Sequence, residues 1–332
     1  MTYSAQDRAY IKNHNLIHLR PMKRILPAFL LLCLLLSLTS CIEFESQELT
    51  YRHDQEEDAL LVTLRYEGIF GSTETDGFDR SDPANLPTEE RLSQKQVQQL
   101  DSVLTGNRAF FFSNWIFEYG RADLEKMLAK GKTQPVPDGK AFGEPERKLL
   151  EALIKDVKIE NIGFYKDGND RLCAAQTLKV SNVSKVVSLT NEVIGRQLRA
   201  NLPEMREGLK KGVKSAMSQK TIDLIAKKTK GRFEFITFQG NQISLQFPMT
   251  KEDAERVAKE ALEGWPKAVR VSHKSKRLTI EIGDADKDSI VITKKCFSGY
   301  RRNALNYLKK EHPKLFVKPE HADKALARFL SN

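Results

Sequence analysis

The chain has 332 residues and a formal net charge of +10, with 40% hydrophobic and 30% charged residues. This balance excludes both a polytopic membrane protein and a disordered tail, and the length suits one large domain or two ordinary ones. Four cysteines without paired CxxC spacing exclude a disulfide-stapled miniprotein and argue against a structural zinc module.

Residues 1–21 are polar and serve no purpose in an export signal, so they read as a mispredicted start or an extended n-region, with Met22 the better initiator. From Met22 the pattern changes: Met-Lys-Arg, then a leucine-rich apolar run from Ile25 to Leu38, then Leu38-Thr39-Ser40-Cys41. The run spans ~14 residues, too few for the ~20 that cross a bilayer as a helix. A basic opening, a short apolar stretch and small residues at its end describe a cleavable export signal over 22–40.

The Leu38–Cys41 segment resembles the lipobox of bacterial lipoproteins. That resemblance implies cleavage before Cys41, a diacylglyceryl group on its sulfur, and a further acyl chain such as palmitate on the freed amino group. It also implies a place in the bacterial cell envelope, with the membrane as partner through the lipid on Cys41. Ile42 lacks the aspartate that accompanies inner-membrane retention, which favours the outer membrane. Each buried CH₂ contributes ~0.8 kcal/mol, so two or more chains hold firmly without help from the protein surface.

Loss of residues 1–40 removes five basic residues and Asp7, which lowers the net charge from +10 to +6. The charge is polarised: Ile42–Asp101 holds fifteen acidic residues against five basic ones, and the basic excess falls later. The expected division is therefore an acidic α+β region at 41–135 and a basic α+β region at 144–332. The Pro- and Gly-rich segment Gly131–Gly143 lies between them.

After Cys41, residues 44–53 and 58–69 predict a strand pair. Leu60, Val62, Leu64 and Tyr66 alternate with Thr63 and Arg65, as a half-buried strand requires. A loop at 71–86 and a helix at 88–104 follow. Phe110–Tyr119 is an aromatic cluster that reads as buried core, and 121–130 reads as a short helix. Beyond the Gly131–Gly143 segment come a helix at 144–157 and a hairpin of 158–165 with 171–180. A helical region at 183–230 is expected to break near Pro203. Residues 232–238 and 242–247 alternate around Gly240-Asn241, a strong hairpin signal. A helix at 250–263 opens on Thr250 with Asp253 three residues on, close to a capping box. Strands at 268–272, 277–282 and 289–293 and helices at 299–311 and 320–330 complete the chain. Hairpins mixed with helices give an α+β fold, not a doubly wound parallel sheet.

Chemistry-bearing motifs are sparse. The sequence holds no G-x-S-x-G, H-E-x-x-H or S-x-x-K, and Lys126 stands where a P-loop ending in Gly131-Lys132-Thr133 needs its first glycine. No catalytic residue and no cofactor is expected. Asp284, Asp286 and Asp288 have the alternate spacing of a calcium loop, but Ser289 and Lys295 replace its glycine and glutamate, so a solvated turn is the stronger reading. Cys173 and Cys296 fall in or beside predicted strands and are a candidate disulfide in an oxidising compartment, with two buried thiols as the alternative.

The basic runs at 196–232 and 294–328 read first as solvated helix faces, and next as surfaces for anionic lipid or an acidic envelope protein. Export disfavours nucleic acid as a partner. The resulting expectation is a non-catalytic envelope lipoprotein with a binding or assembly role. The alternatives are an envelope hydrolase with a dispersed carboxylate site and a ligand carrier whose cavity is lined by the Phe110–Tyr119 cluster.

Overall fold

The computed structural model describes residues 42–71, 108–111, 117–131, 143–212, 217–261, 268–295, 309 and 313–331. The signal segment, Cys41, Cys296, the helices expected at 88–104 and 299–311, and Phe112 and Trp115 of the aromatic cluster lie outside the described residues.

The chain is an α+β protein whose described residues form a five-stranded and a four-stranded antiparallel sheet, with a separate two-stranded hairpin. Strands β1 (Ile42–Asp54) and β2 (Ala59–Gly71) form a long hairpin about the acidic turn Gln55-Glu56-Glu57-Asp58. A short hairpin of β3 (Arg108–Phe111) and β4 (Phe117–Gly120) leads into α1 (Arg121–Lys130), then α2 (Glu144–Asp156). Strands β5 (Val157–Lys166) and β6 (Leu172–Ser181) return to the first sheet, and α3 (Val183–Lys210) and α4 (Gln219–Lys228) leave it. The second sheet comprises β7 (Ile236–Gln239), β8 (Gln242–Pro248), β9 (Val269–Lys274) and β10 (Arg277–Ile282), with α5 (Lys251–Ala261) between β8 and β9. Strand β11 (Ile290–Lys295) goes back to the first sheet, and α6 (Pro319–Ser331) closes the described chain.

The first sheet has the order β11-β1-β2-β6-β5, the second β7-β8-β10-β9. Strands from both sides of the Gly131–Gly143 segment thus share one sheet. One face of the first sheet carries Leu49, Tyr51, Val62, Leu64, Tyr66 and Leu178, covered by Phe110, Tyr119, Leu124, Met127 and Leu150 as the main core. Ala322 and Leu326 of α6 pack on the other face over Tyr165, Cys173 and Ala175. On the second sheet Leu278, Phe247 and Ile280 face a layer of α3, α4 and α5 contributed by Ile194, Leu198, Ile222, Ile225 and Val257.

Two polar residues break the apolar pattern of the main face. Gln47 and Gln176 are both fully buried, with 0% exposure. Gln47 Nε2 donates to the Phe110 carbonyl at 2.7 Å, and Gln176 Nε2 donates to the Arg108 carbonyl at 3.1 Å. Between them, Tyr66 Oη accepts from Phe110 N at 3.1 Å and donates to Gln176 Oε1 at 2.9 Å. Three neighbouring strands therefore hold the β3 backbone flat on the sheet, and these side chains are buried because that backbone needs partners.

The expected break at Pro203 does not occur. Helix α3 runs through it for 28 residues and ends at Lys210, followed by Gly212 at φ +64°. Pro203 and Arg199 both lie on the exposed side, so the Arg199 carbonyl that loses its donor faces solvent.

The two sheets are joined at one polar junction. Asn241, in the Gly240-Asn241 turn, is 7% exposed. Its Oδ1 accepts the His53 backbone N–H at 2.5 Å, and its Nδ2 donates to the carbonyls of Lys287 at 2.7 Å and Asp288 at 3.1 Å. The buried Tyr51 hydroxyl lies 2.8 Å from the Asn241 carbonyl oxygen and 2.9 Å from that of Ile282. Glycine is required at Gly283, with φ +87°, because a Cβ there would meet the Tyr51 hydroxyl at 2.4 Å and the Asn241 carbonyl at 2.7 Å.

Candidate functional site

The sequence-derived candidates do not assemble into one site. Asp284 and Asp286 belong to the connection that carries the chain from β10 in one sheet to β11 in the other. Asp284 Oδ1 accepts the Asp286 backbone N–H at 3.2 Å, an Asx-type turn. The Asp288 carbonyl serves the Asn241 junction. Among the described residues no group of three or more His, Cys, Asp or Glu side chains is placed to hold a metal ion.

Cys173 is a buried free thiol on β6, 1% exposed, and burial pushes its pKa up to about 11. Lys295, the residue before Cys296, sits in the same row of the sheet as Cys173, three strands away through Ser46 and Glu67. At 4.7–4.9 Å per strand that is about 14 Å.

What the fold does assemble is a groove of about 930 Å³ between α3, the β1–β2 turn and the segment that becomes β7. One wall is a single face of α3, presenting Ser184, Ser188, Asn191, Gly195 and Arg199 at helical spacing. The helix starts where it does because Asp58 of the β1–β2 turn caps it. Its carboxylate accepts the Ser184 backbone N–H at 2.9 Å and the Ser184 hydroxyl at 2.6 Å. The opposite wall is residues 230–238.

Asn191 bridges the two walls. Its Oδ1 accepts the Ile236 N–H at 2.8 Å and its Nδ2 donates to the Ile236 carbonyl at 2.9 Å, as a neighbouring strand would. Strand β7 is an edge of its sheet, and Phe235 bonds across to Gln246 at 2.7 Å. By alternation, Ile236 and Phe238 direct their backbone groups away from β8 and toward the groove. Beside Phe238 stands His53, ring to ring at 4.9 Å, with His53 Nδ1 3.1 Å from the Gly240 carbonyl oxygen.

The groove is charged unequally along its length. The end at the β1–β2 turn carries Asp58, and Glu192 stands about midway along the α3 wall. The other end carries Arg199, Lys230 and Arg232, with Glu234 beside them. Arg199 Nη1 donates to the Thr229 carbonyl just past the end of α4, where a helix leaves its negative dipole. Lys230 and Arg232 are exposed, and among the described residues neither forms an ion pair. Phe233 and Phe235 pack at 4.7 Å next to them, and the Arg277 guanidinium lies 5.5 Å from the centre of the Phe233 ring.

The sequence shows the 196–232 basic run but not the groove, because Asn191, Phe238 and His53 carry no motif and meet only where α3 and the end of β1 reach the second sheet. A second buried polar cluster serves the helices alone. Asp253 Oδ2 accepts from Ser218 N at 3.0 Å, Ser218 Oγ at 2.6 Å and Thr221 Oγ1 at 2.5 Å, tying the start of α4 to that of α5. Burial alone would raise the Asp253 pKa, but the hydrogen bonds from Ser218 and Thr221, with Arg256 nearby, outweigh it and hold the carboxyl below its ordinary value. Compared with family models, with curated proteins and with solved structures, the chain matches none.

Proposed function

We propose that the chain is a bacterial envelope lipoprotein, anchored through lipid on Cys41, with a non-catalytic binding or assembly role in which the groove receives the partner. The observation that carries this reading is the course of β1. The strand opens at Ile42, directly after Cys41, and its far end delivers His53 to the groove. Eleven steps at ~3.3 Å make about 36 Å of nearly uninterrupted strand. An anchor at Cys41 then holds the groove well away from the bilayer, turned to the aqueous compartment. Three polar side chains that line it are committed to the fold, Asn191 to Ile236, Asp58 to Ser184 and Arg199 to Thr229, which supports binding over catalysis.

The test is metabolic labelling with a palmitate analogue followed by membrane fractionation. Wild type takes up label and bands with outer-membrane fractions, whereas Cys41→Ser loses both. Labelling that persists in Cys41→Ser overturns the anchor.

A further inference from the structure

The groove's dimensions and charge point to the kind of partner it fits. Its α3 wall runs from Val183 to Arg199, sixteen residues at 1.5 Å, about 24 Å. That is the length of about seven residues of extended polypeptide. The facing wall is a strand edge whose Ile236 N–H and carbonyl are already taken by Asn191, which leaves the outward-facing Phe238 backbone, without a strand partner among the described residues. Such an edge suits main-chain pairing with another polypeptide. Lys230 and Arg232, which form no ion pair among the described residues, stand at one end with Arg199 and Glu234, while Asp58 stands at the other and Glu192 about midway.

We infer that the groove binds an extended polypeptide segment of a partner protein, about seven residues long, with acidic side chains at the end that lies against Arg199, Lys230 and Arg232. This rests on the binding role proposed above. The segment's apolar side chains meet Phe233 and Phe238, and its backbone pairs with Phe238 beside His53. The acidic end of the groove repels a uniformly acidic chain, so charge at one end only sets the direction in which the segment lies. An anionic lipid surface is the weaker occupant, since β1 spaces the groove about 36 Å from Ile42.

The experiment uses the full chain carrying Cys41→Ser, purified without lipid, on an array of seven-residue peptides with blocked ends. Expected is selection of peptides with Asp or Glu at one end. The double variant Lys230→Glu/Arg232→Glu, with unchanged circular dichroism, switches that end to Lys or Arg and weakens acidic peptides about tenfold or more. Raising sodium chloride from 50 to 300 mM weakens the wild-type interaction several-fold. Should the double variant fail to fold, Lys230→Gln alone reports the same preference as a smaller loss.

Selection without charge bias, a preference unchanged by the charge reversal, or binding to phosphatidylglycerol vesicles through Lys230 and Arg232 in place of peptides each overturns the inference. Because the array needs no lipid, failure of Cys41 labelling leaves this result standing, and failure here leaves the anchor standing.

Discussion

Asn241 gives the sharpest test of how the two sheets are held together. Its side chain makes three hydrogen bonds at a site that is 7% exposed. Asn241→Ala leaves the part-buried His53 N–H without its acceptor, at about 1–3 kcal/mol, and forfeits two bonds to the Lys287 and Asp288 carbonyls at ~1 kcal/mol each. The sum is about 3–5 kcal/mol, a large part of the 5–15 kcal/mol typical of a folded domain. With a urea m-value of about 3 kcal/mol/M, the midpoint falls by about 1 M or more. The assay is equilibrium urea unfolding followed by far-ultraviolet circular dichroism. Asn241→Asp serves as the control: it keeps an acceptor for His53 but sets a carboxylate against two carbonyls. It destabilises at pH 7 and recovers part of the loss at acidic pH, where the protonated acid donates. A loss below ~1 kcal/mol for Asn241→Ala, or no recovery on acidification of Asn241→Asp, refutes the junction as a source of stability.

Two further outcomes follow from the buried polar and thiol groups. Asp253 has its pKa lowered in the folded state, so its contribution is present above about pH 4 and is lost as pH falls through the folded value. Asp253→Asn should therefore cost about 2–3 kcal/mol at pH 7 by urea titration, with the gap to wild type closing at pH 3; a gap independent of pH contradicts this. Cys173, buried beneath α6 with its pKa near 11, should resist iodoacetamide in native protein at pH 8 and react at once in denaturant, and rapid native labelling would show that α6 does not stay docked.

Much of the fold is legible because local signals agree with it. The alternation of Leu60 to Tyr66, the Gly240-Asn241 turn and the short helix expected at 121–130 each match an element within a few residues of its observed bounds. What sequence withholds is pairing across distance. The β-branched run Ile290-Val291-Ile292 in the strand expected at 289–293 says that β11 has a partner, not that the partner is β1. Gln47 and Gln176 fall on a core face that polar residues usually avoid, and only the placement of β3 explains their burial. The groove is hidden for the same reason: its walls come from Asp58, Asn191 and Phe238, three places that local pattern treats separately. Of its lining only the cations Arg199, Lys230 and Arg232 leave a trace in the sequence, as part of the basic run at 196–232.

The pairing of β1 with β11 also sets the order in which the molecule can be assembled. Ser46 and Lys295 face each other across about 250 residues of chain, so the hairpin of β1 and β2 can zip early while the other edge of β1 waits for the last strand. During that interval a thirteen-residue strand offers a row of unsatisfied backbone groups to any neighbouring chain. Self-association should be greatest among partly synthesised or truncated forms that stop short of Ile290, and completion of the sheet by β11 is the step that ends the exposure.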